Sequence, residues 1–108
     1  MPFIRTSTNI PINEEKLNNL KTRYGRAITI MGKTEDWLML EFSDNNKMYF
    51  QGENNPLAFV DVKVLGNVNN SEEMTKELTK IINEELGINN VYIAYQGYST
   101  WGYNGSNL

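Results

Sequence analysis

The 108-residue chain contains no cysteine and no histidine. Without cysteine it has no disulfide bond, no thiolate nucleophile and no thiolate metal site. Without histidine it lacks the commonest general base and metal ligand, and every Ser-His or Cys-His catalytic pair. If the chain is an enzyme, its proton-transfer group must therefore be of another kind. We expect neither a metal site nor a cofactor.

Long apolar runs and basic stretches are also missing. No apolar run approaches the roughly 18 residues of a membrane span, so we expect no membrane insertion. The net charge of -3 and the lack of a basic stripe with interleaved aromatic residues argue against nucleic acid as a partner. The first residues do not form a signal peptide, which needs a basic segment followed by an apolar one. We therefore expect a cytoplasmic protein, and export by a non-classical route stays open.

The first half of the chain has the order strand, helix, strand. Residues 3–8 are rich in β-branched side chains, which favours a strand. Pro11 and Asn13 indicate the start of a helix, and Gly32 suits the left-handed position just past its end. Residues 37–42 are nearly all apolar and predict a second strand. The apolar face of the helix recurs at helical spacing and comprises Leu17, Leu20, Tyr24, Ala27, Ile28 and Met31.

The second half repeats that order. Residues 57–65 predict a long strand, and residues 91–95 predict another. Between them Ser71 is a good N-cap for a helix that Gly87 closes. Residues 48–52 predict a short edge strand, and the tail beyond residue 97 is rich in glycine, asparagine and aromatics. The apolar stripe of this second helix comprises Met74, Leu78, Ile81, Ile82 and Leu86.

This order predicts an α+β fold of α/β layers, in a single domain spanning residues 1–108. Two β-α-β units form a four-stranded mixed sheet with both helices on one face. The opposite face lies bare, and it is not entirely polar because the second strand and the start of the third are apolar on both sides. A small sheet with an uncovered apolar face is expected to form oligomers.

Short motifs are distributed along essentially the whole chain. They are Met1-Pro2-Phe3-Ile4 leading into Thr8-Asn9, Gly32-Lys33, Phe50-Gln51-Gly52 before Pro56, Val64-Leu65-Gly66, Leu86-Gly87-Ile88 before Val91-Tyr92-Ile93, and Trp101-Gly102-Tyr103-Asn104. In this order and spacing the chain resembles the macrophage migration inhibitory factor family, which includes D-dopachrome tautomerase. The resemblance implies a homotrimer whose sheets pack into a central barrel, with active sites between neighbouring subunits.

The resemblance also implies a keto-enol tautomerase that acts on phenylpyruvate-like or dopachrome-like substrates, such as a small aromatic keto acid. Pro2 is the implied catalytic base, because removal of Met1 leaves a secondary amine at the chain terminus. Burial and a nearby cation would lower the pKa of that amine below the usual value of about 7.7–8.0. If Met1 stays, the Pro2 nitrogen is a tertiary amide without a basic lone pair, and this hypothesis fails.

Substrate-binding roles also follow from the resemblance, each beside a purely structural alternative. Lys33 would stabilise the developing enolate, or it simply suits the end of a helix. Leu65 would line the pocket and offer a backbone contact, or it is an ordinary strand residue. Tyr92 of a neighbouring subunit would bond a substrate oxygen, or it is a half-buried strand tyrosine. An aromatic rim suited to a flat substrate, or else to core or interface packing, comprises Trp37, Trp101 and Tyr103.

Three departures from the family pattern bear on function. Ala94 stands where the better-known vertebrate members have an asparagine that helps to bind substrate. Leu57-Ala58-Phe59-Val60 replaces the Cys-x-x-Cys motif of some members, which excludes thiol-disulfide oxidoreductase activity. The tail is one residue shorter between Tyr95 and Trp101, so the placement of the tail aromatics depends on the alignment to within one residue.

Two other functions are compatible with these residues. One is a secreted, cytokine-like binding protein that acts on a cell-surface receptor and has weak or vestigial tautomerase activity. Ala94 and the altered tail favour it, whereas the presence of both Pro2 and Lys33 favours chemistry. The other is an unrelated β-α-β oligomer with a chance proline, which a monomeric state in solution would support.

Overall fold

Two β-α-β units follow one another in the structure, a computed structural model that describes all 108 residues. The first unit is followed by a turn-rich segment, and the second by a short hairpin. Two 3-10 turns lie between the first helix and the second strand, at Ile28–Met31 and Glu35–Trp37. No helix is long and apolar enough to cross a membrane. The elements are β1 (Pro2–Thr8), α1 (Glu14–Ala27), β2 (Met39–Ser43), β3 (Ala58–Leu65), α2 (Ser71–Leu86), β4 (Val91–Tyr98), β5 (Gly102–Tyr103) and β6 (Ser106–Asn107).

The main sheet has the strand order β2-β1-β3-β4. β1 pairs with β2, and β3 with β4, in parallel, whereas the central strands β1 and β3 are antiparallel. Each helix therefore connects a parallel pair, and both helices pack on the same face of the sheet. The predicted α+β fold, with a four-stranded mixed sheet and its helices on one face, is confirmed.

The core lies between that face and the two helices. Alternate residues of β1 and β3 are buried, as expected for strands with one covered face. The predicted helix stripes are buried too, except that Leu17 is only half-buried. Two polar side chains in the core have partners: Thr6 shares a 2.7 Å hydrogen bond with the Tyr24 hydroxyl, and Thr8 donates to the Leu57 carbonyl at 2.7 Å.

The helix ends follow local capping chemistry. Asn13 caps α1 by accepting a 2.8 Å hydrogen bond from the Lys16 backbone N–H. Gly32 has a φ of +74°, the left-handed conformation predicted for it. The predicted N-cap at Ser71 is wrong by one residue, because Ser71 is already helical and Asn70 precedes it with a φ of +57°. Gly87 closes α2 as expected.

Three predicted segments differ from the structure. β2 begins at Met39, and Trp37 lies in the second 3-10 turn before it. No edge strand forms at residues 48–52, where Phe50 and Glu53 instead exchange two backbone hydrogen bonds across a tight turn, of 2.9 and 3.0 Å. β4 extends to Tyr98. The tail, for which no element was predicted, forms the two-stranded hairpin β5–β6, called the tail hairpin below.

The bare face of the sheet is polar in its middle and apolar towards its ends. Arg5 and Asp61, neighbours in β1 and β3, form an ion pair of 2.7 Å there. On β2, Glu41 and Ser43 share this face, so the expectation that β2 is apolar on both sides is wrong. The large exposed apolar side chains of this face are Met39, Phe59 and Tyr92.

Candidate active site

Pro2 occupies the first position of β1, where a strand tolerates the missing backbone N–H of proline. Its side chain is buried, and it lies opposite Val64 near the end of β3. Because β1 and β3 are antiparallel, the start of one strand lies beside the end of the other. This pairing places Pro2 close to Leu65, although the two residues are far apart in the sequence.

A lysine from a third segment reaches the same point. Lys33 follows Gly32, and its half-buried side chain donates from Nζ to the Leu65 carbonyl oxygen at 3.0 Å. The Leu65 backbone N–H donates in turn to the Met1 carbonyl oxygen at 3.1 Å. The structure therefore brings together three of the predicted site residues, Pro2, Lys33 and Leu65.

The surroundings at the start of β1 disfavour a positive charge. The pKa of the Met1 amino group is lowered from its ordinary value, first by burial and second by the positive charge of Lys33. Both causes belong to this position of the fold rather than to methionine itself. Any amine located here experiences the same loss of hydration and the same neighbouring cation.

A cleft of about 630 Å³ opens beside Pro2 and is called the Pro2 cleft below. Its walls come from the start of the chain, the second 3-10 turn, the start of β2 and the tail hairpin. Seven of its ten lining residues are hydrophobic. A mostly apolar lining with few polar groups is typical of sites for small organic ligands.

Aromatic side chains form the outer part of the Pro2 cleft. The rings of Trp37 and Tyr103 meet edge to face, with centroids 5.7 Å apart and planes at 84°. Trp101 also lines the cleft, and its ring meets that of Tyr98 at 6.0 Å. Trp37 is 54% exposed and Tyr103 is 44% exposed, so neither residue belongs to the core of this chain. The structure thus places all three predicted rim residues beside Pro2.

The tail hairpin reaches this position through a tight turn. Asn104 and Gly105 both have positive φ, of 49° and 90°, the conformation of the two-residue turns that join short antiparallel strands. Gly102 pairs with Asn107, and Leu108 donates from its backbone to the Trp101 carbonyl at 2.9 Å. These bonds orient Tyr103 towards Trp37 from the far side of the cleft.

Tyr92 lies elsewhere in the chain. It pairs with Phe59 at the start of β3, six strand positions from the pair that contains Leu65, which is about 20 Å along the sheet. Its ring packs against Phe50 at 5.4 Å and is 46% exposed. Ala94 lies on the same face of β4, opposite Asp61. Tyr92 therefore does not reach the Pro2 cleft of its own protomer, and its predicted role requires a neighbouring subunit.

Six further residues line the Pro2 cleft and were not predicted as site residues: Met1, Phe3, Asp36, Leu38, Met39 and Gly102. Phe3 and Met39 are neighbours across β1 and β2, on the bare side of the sheet. Asp36 belongs to the second 3-10 turn, which the sequence pattern did not reveal. The adjacent Trp37 was the only local signal for this wall. No group of three or more acidic side chains is arranged to hold a metal ion.

The chain is similar to known proteins over essentially its whole length. A family model described as "Macrophage migration inhibitory factor (MIF)" matches residues 1–108. A macrophage migration inhibitory factor homolog of Trichuris trichiura is 30% identical over 112 residues, covering 98% of each chain. One of Brugia malayi is 31% identical over 114 residues, covering 98% of this chain and 97% of its own.

A solved structure shares both the fold and part of the sequence. The crystal structure of Leishmania major MIF2 superposes with a TM-score of 0.92 at 34% identity, covering 100% of this chain and 97% of that one. A macrophage migration inhibitory factor-like protein of Entamoeba histolytica is only 19% identical, with a TM-score of 0.89, over 99% of this chain and 98% of that one. At that identity the second likeness concerns the fold alone.

Proposed function

Because the chain belongs to the macrophage migration inhibitory factor family, we propose that it is a keto-enol tautomerase that uses Pro2 as general base after Met1 is removed. The observation that carries this proposal is the convergence at the Pro2 cleft. Pro2 lines a mostly apolar cleft with an aromatic rim, and the Lys33 ammonium bonds the Leu65 carbonyl next to the Val64 position that pairs with Pro2. A base, a cation and an apolar cleft together suit the isomerisation of a small aromatic keto acid.

Removal of Met1 would change the chemistry of the Pro2 nitrogen. A tertiary amide becomes a secondary amine with a free lone pair. The amine would lie where burial and Lys33 lower the pKa of the Met1 amino group. Both influences disfavour the protonated form of an amine at the start of the chain. General bases are most effective when their pKa lies close to the working pH.

The same cleavage would also release a hydrogen-bond donor. The Leu65 N–H, which donates to the Met1 carbonyl at 3.1 Å, loses that acceptor when Met1 leaves. Lys33 is held 3.0 Å from the carbonyl of the same residue. An ammonium and a free amide donor would then lie close together beside the start of β1. Charge-assisted hydrogen bonds from such a pair suit the carboxylate of a keto acid or the oxygen of its enolate.

The proposed reaction moves one proton. Neutral Pro2 takes a proton from the carbon next to the keto group, and the C–H electron pair forms a carbon-carbon double bond. The carbonyl electrons move to oxygen, where Lys33 offsets the developing negative charge. Protonated Pro2 returns the proton to that oxygen and yields the enol. The reverse sequence converts the enol to the keto acid, and no cofactor takes part.

A homotrimer is part of the proposal. The bare face carries exposed Phe59 and Tyr92 at one end and exposed Met39 at the other. Packing of three such sheets around a central axis would cover these side chains. It would also bring Tyr92 of one protomer to the Pro2 cleft of another, where its hydroxyl would bond a substrate oxygen. The distance of about 20 Å between Tyr92 and Leu65 within one chain supports a site shared between subunits.

One observation favours a second function. Ala94 is exposed on β4 and offers no polar group to a substrate. A weak or vestigial tautomerase that is secreted and acts as a cytokine-like ligand of a cell-surface receptor would be compatible with that loss. In this alternative the Pro2 cleft contributes little, and the outer surface of the oligomer carries the function.

Phenylpyruvate tautomerisation, followed by ultraviolet absorbance, tests the proposal on protein whose mass shows that Met1 is absent. We expect turnover by the wild type and its loss in Pro2→Gly. Pro56→Gly is the matched control, because it makes the same chemical change in an exposed loop. Because Pro2→Gly still has a primary amine at the chain terminus, turnover that persists unchanged would show only that the secondary amine of proline is not required. No turnover in correctly processed wild type would favour the binding alternative.

A further inference from the structure

Asp36 is the only charged side chain that lines the Pro2 cleft. It lies in the second 3-10 turn, next to Trp37, and is exposed. The ion pairs of the chain are Arg5 with Asp61, Arg23 with Glu84 and Glu85, and Lys76 with Glu72. None of them involves Asp36, so its carboxylate is available to a ligand in the cleft.

Two lysines contact residues beside the cleft without lining it. Lys33 is held by the Leu65 carbonyl at the end of β3. Lys63, also on β3, lies over the Phe3 ring at 6.0 Å from its centroid, and Phe3 lines the cleft. Both lysines lie outside the lining of the cleft, so the charge within the lining is the carboxylate of Asp36.

We propose that Asp36 determines which ring substituents the cleft accepts, favouring aromatic keto acids that carry a cationic or hydrogen-bond-donating group and disfavouring anionic rings. The inference rests on the proposed function. A keto acid whose carboxylate pairs with Lys33 extends its ring towards the aromatic rim formed by Trp37 and Tyr103. Asp36 lines the same cleft as these two rings, so a charged substituent on a ring bound there experiences its carboxylate.

The effect of Asp36 falls on substrate binding rather than on chemistry. The carboxylate acts on a part of the substrate that does not change charge during proton transfer, so it stabilises ground and transition states alike. Such uniform binding changes KM and leaves kcat unaltered. Asp36 is exposed, so water screens it, and the effect is a few-fold rather than a few-hundred-fold.

The test compares three substrates that differ only in ring charge: phenylpyruvate, 4-(aminomethyl)phenylpyruvate and 4-carboxyphenylpyruvate. In Asp36→Asn we expect KM to rise about threefold for the cationic ring and to fall about threefold for the anionic ring. KM for phenylpyruvate and kcat for all three stay near wild type. High salt should reduce the differences, since it screens exposed charges.

Glu35→Gln is the matched control. It removes the same charge from the neighbouring residue, whose side chain packs over Gly25 of α1 and lines a separate groove with Lys21. If Glu35→Gln shifts KM for the two charged rings as much as Asp36→Asn does, the effect comes from the net charge of the region. That result would overturn the proposal. A parallel KM change for all three substrates in Asp36→Asn would overturn it too, because a mere structural disturbance does not reverse sign with ring charge.

Binding measured without turnover separates this inference from the proposed function. Trp37 and Trp101 line the cleft, so their fluorescence reports the same three compounds when they bind. If the protein shows no turnover but binds the cationic ring more tightly than the anionic ring, and Asp36→Asn removes that difference in Kd, the role of Asp36 is supported. The same result contradicts the proposed tautomerase activity. Conversely, wild type and Asp36→Asn could both turn over phenylpyruvate and show the same KM and Kd for both charged rings. That result would support the proposed tautomerase activity and contradict the role of Asp36.

Discussion

The Lys33 ammonium donates to the Leu65 carbonyl at 3.0 Å, although 32 positions separate the two residues in the chain. The bond joins the segment after α1 to the end of the strand that pairs with β1. Gly32 ends the first 3-10 turn in a left-handed conformation and changes the direction of the chain there. This change of direction positions Lys33 for the bond to Leu65. A backbone requirement at one residue therefore positions the cation of the proposed active site.

Lys33→Met tests the role of that cation. Methionine keeps an unbranched apolar stem but offers no charge and no donor, so the enolate would lose its positive partner. We expect kcat/KM for phenylpyruvate to fall by about 10²- to 10³-fold, the usual cost of removing one preorganised donor. Lys47→Met, at an exposed loop position, serves as control and should retain full activity. Wild-type kcat/KM in Lys33→Met would exclude the proposed role.

The pH profile reports the proposed base. Only the neutral amine accepts a proton, so kcat/KM should rise with pH through the pKa of the Pro2 amine and then level off. Because burial and Lys33 both lower the pKa of the amine at the start of the chain, the midpoint should lie below that of the same amine in an unfolded chain. In Lys33→Met the residual activity should show a higher midpoint, still below the ordinary value because burial, the larger cause, remains. A midpoint that does not move would show that Lys33 has no electrostatic effect on the base.

A shared active site predicts complementation between two inactive variants. Pro2→Gly replaces the secondary amine of proline with a primary amine, and Tyr92→Ala lacks the hydroxyl proposed to come from the neighbouring subunit. Random trimers formed by refolding an equal mixture should regain about a quarter of the wild-type sites, since each site combines two protomers. Mixing the two proteins without subunit exchange is the control and should restore nothing. Activity that stays absent after exchange would place Tyr92 outside the site.

Gly32→Ala tests the backbone requirement directly. The φ of +74° costs a residue with a Cβ about 1–2 kcal/mol, although no atom lies within 4 Å of the added methyl group. We expect the free energy of unfolding of Gly32→Ala, measured in urea, to fall by about that amount. In Gly32→Asn it should fall less. Gly102→Ala should change it little, because Gly102 is not left-handed and its nearest neighbour would be 3.7 Å away. Equal losses at both glycines would argue against backbone strain as the cause.

The buried pair of Thr6 and Tyr24 gives a prediction about the core. Their hydroxyls share a 2.7 Å hydrogen bond, and both residues are fully buried. Thr6→Val leaves the Tyr24 hydroxyl without a partner and should destabilise the fold by about 1–3 kcal/mol. Combining it with Tyr24→Phe removes both polar groups and should recover part of the loss. Strictly additive losses in the double variant would show that the two hydroxyls are not coupled.

Local sequence predicted the elements that carry strong periodicity. The stripes of α1 and α2 and the left-handed glycines at positions 32 and 87 were recognisable, because burial repeats every three to four residues and glycine has a special role past a helix end. The second 3-10 turn was not recognisable. Trp37 adjoins the apolar start of β2, and an apolar run does not mark where a strand begins.

The tail and the site depended on other information. β5 and β6 are two residues long and exposed, so they have no hydrophobic alternation to reveal them, and only Asn104-Gly105 hinted at a turn. The proximity of Pro2, Lys33 and Leu65 depends on the antiparallel register of β1 and β3, which no local pattern encodes. The family resemblance grouped these residues before the register was known. The predicted roles themselves await the measurements described above.

The bond between the Met1 carbonyl and the Leu65 N–H has a practical consequence for recombinant material. Removal of Met1 by an aminopeptidase would expose the proposed proline base and free the Leu65 N–H in a single step. A purification tag fused ahead of Met1, or incomplete trimming in an overloaded host, would keep that strand pairing intact. Under the proposed mechanism that product would be catalytically silent, so inactivity of a tagged preparation would not test the proposed tautomerase activity.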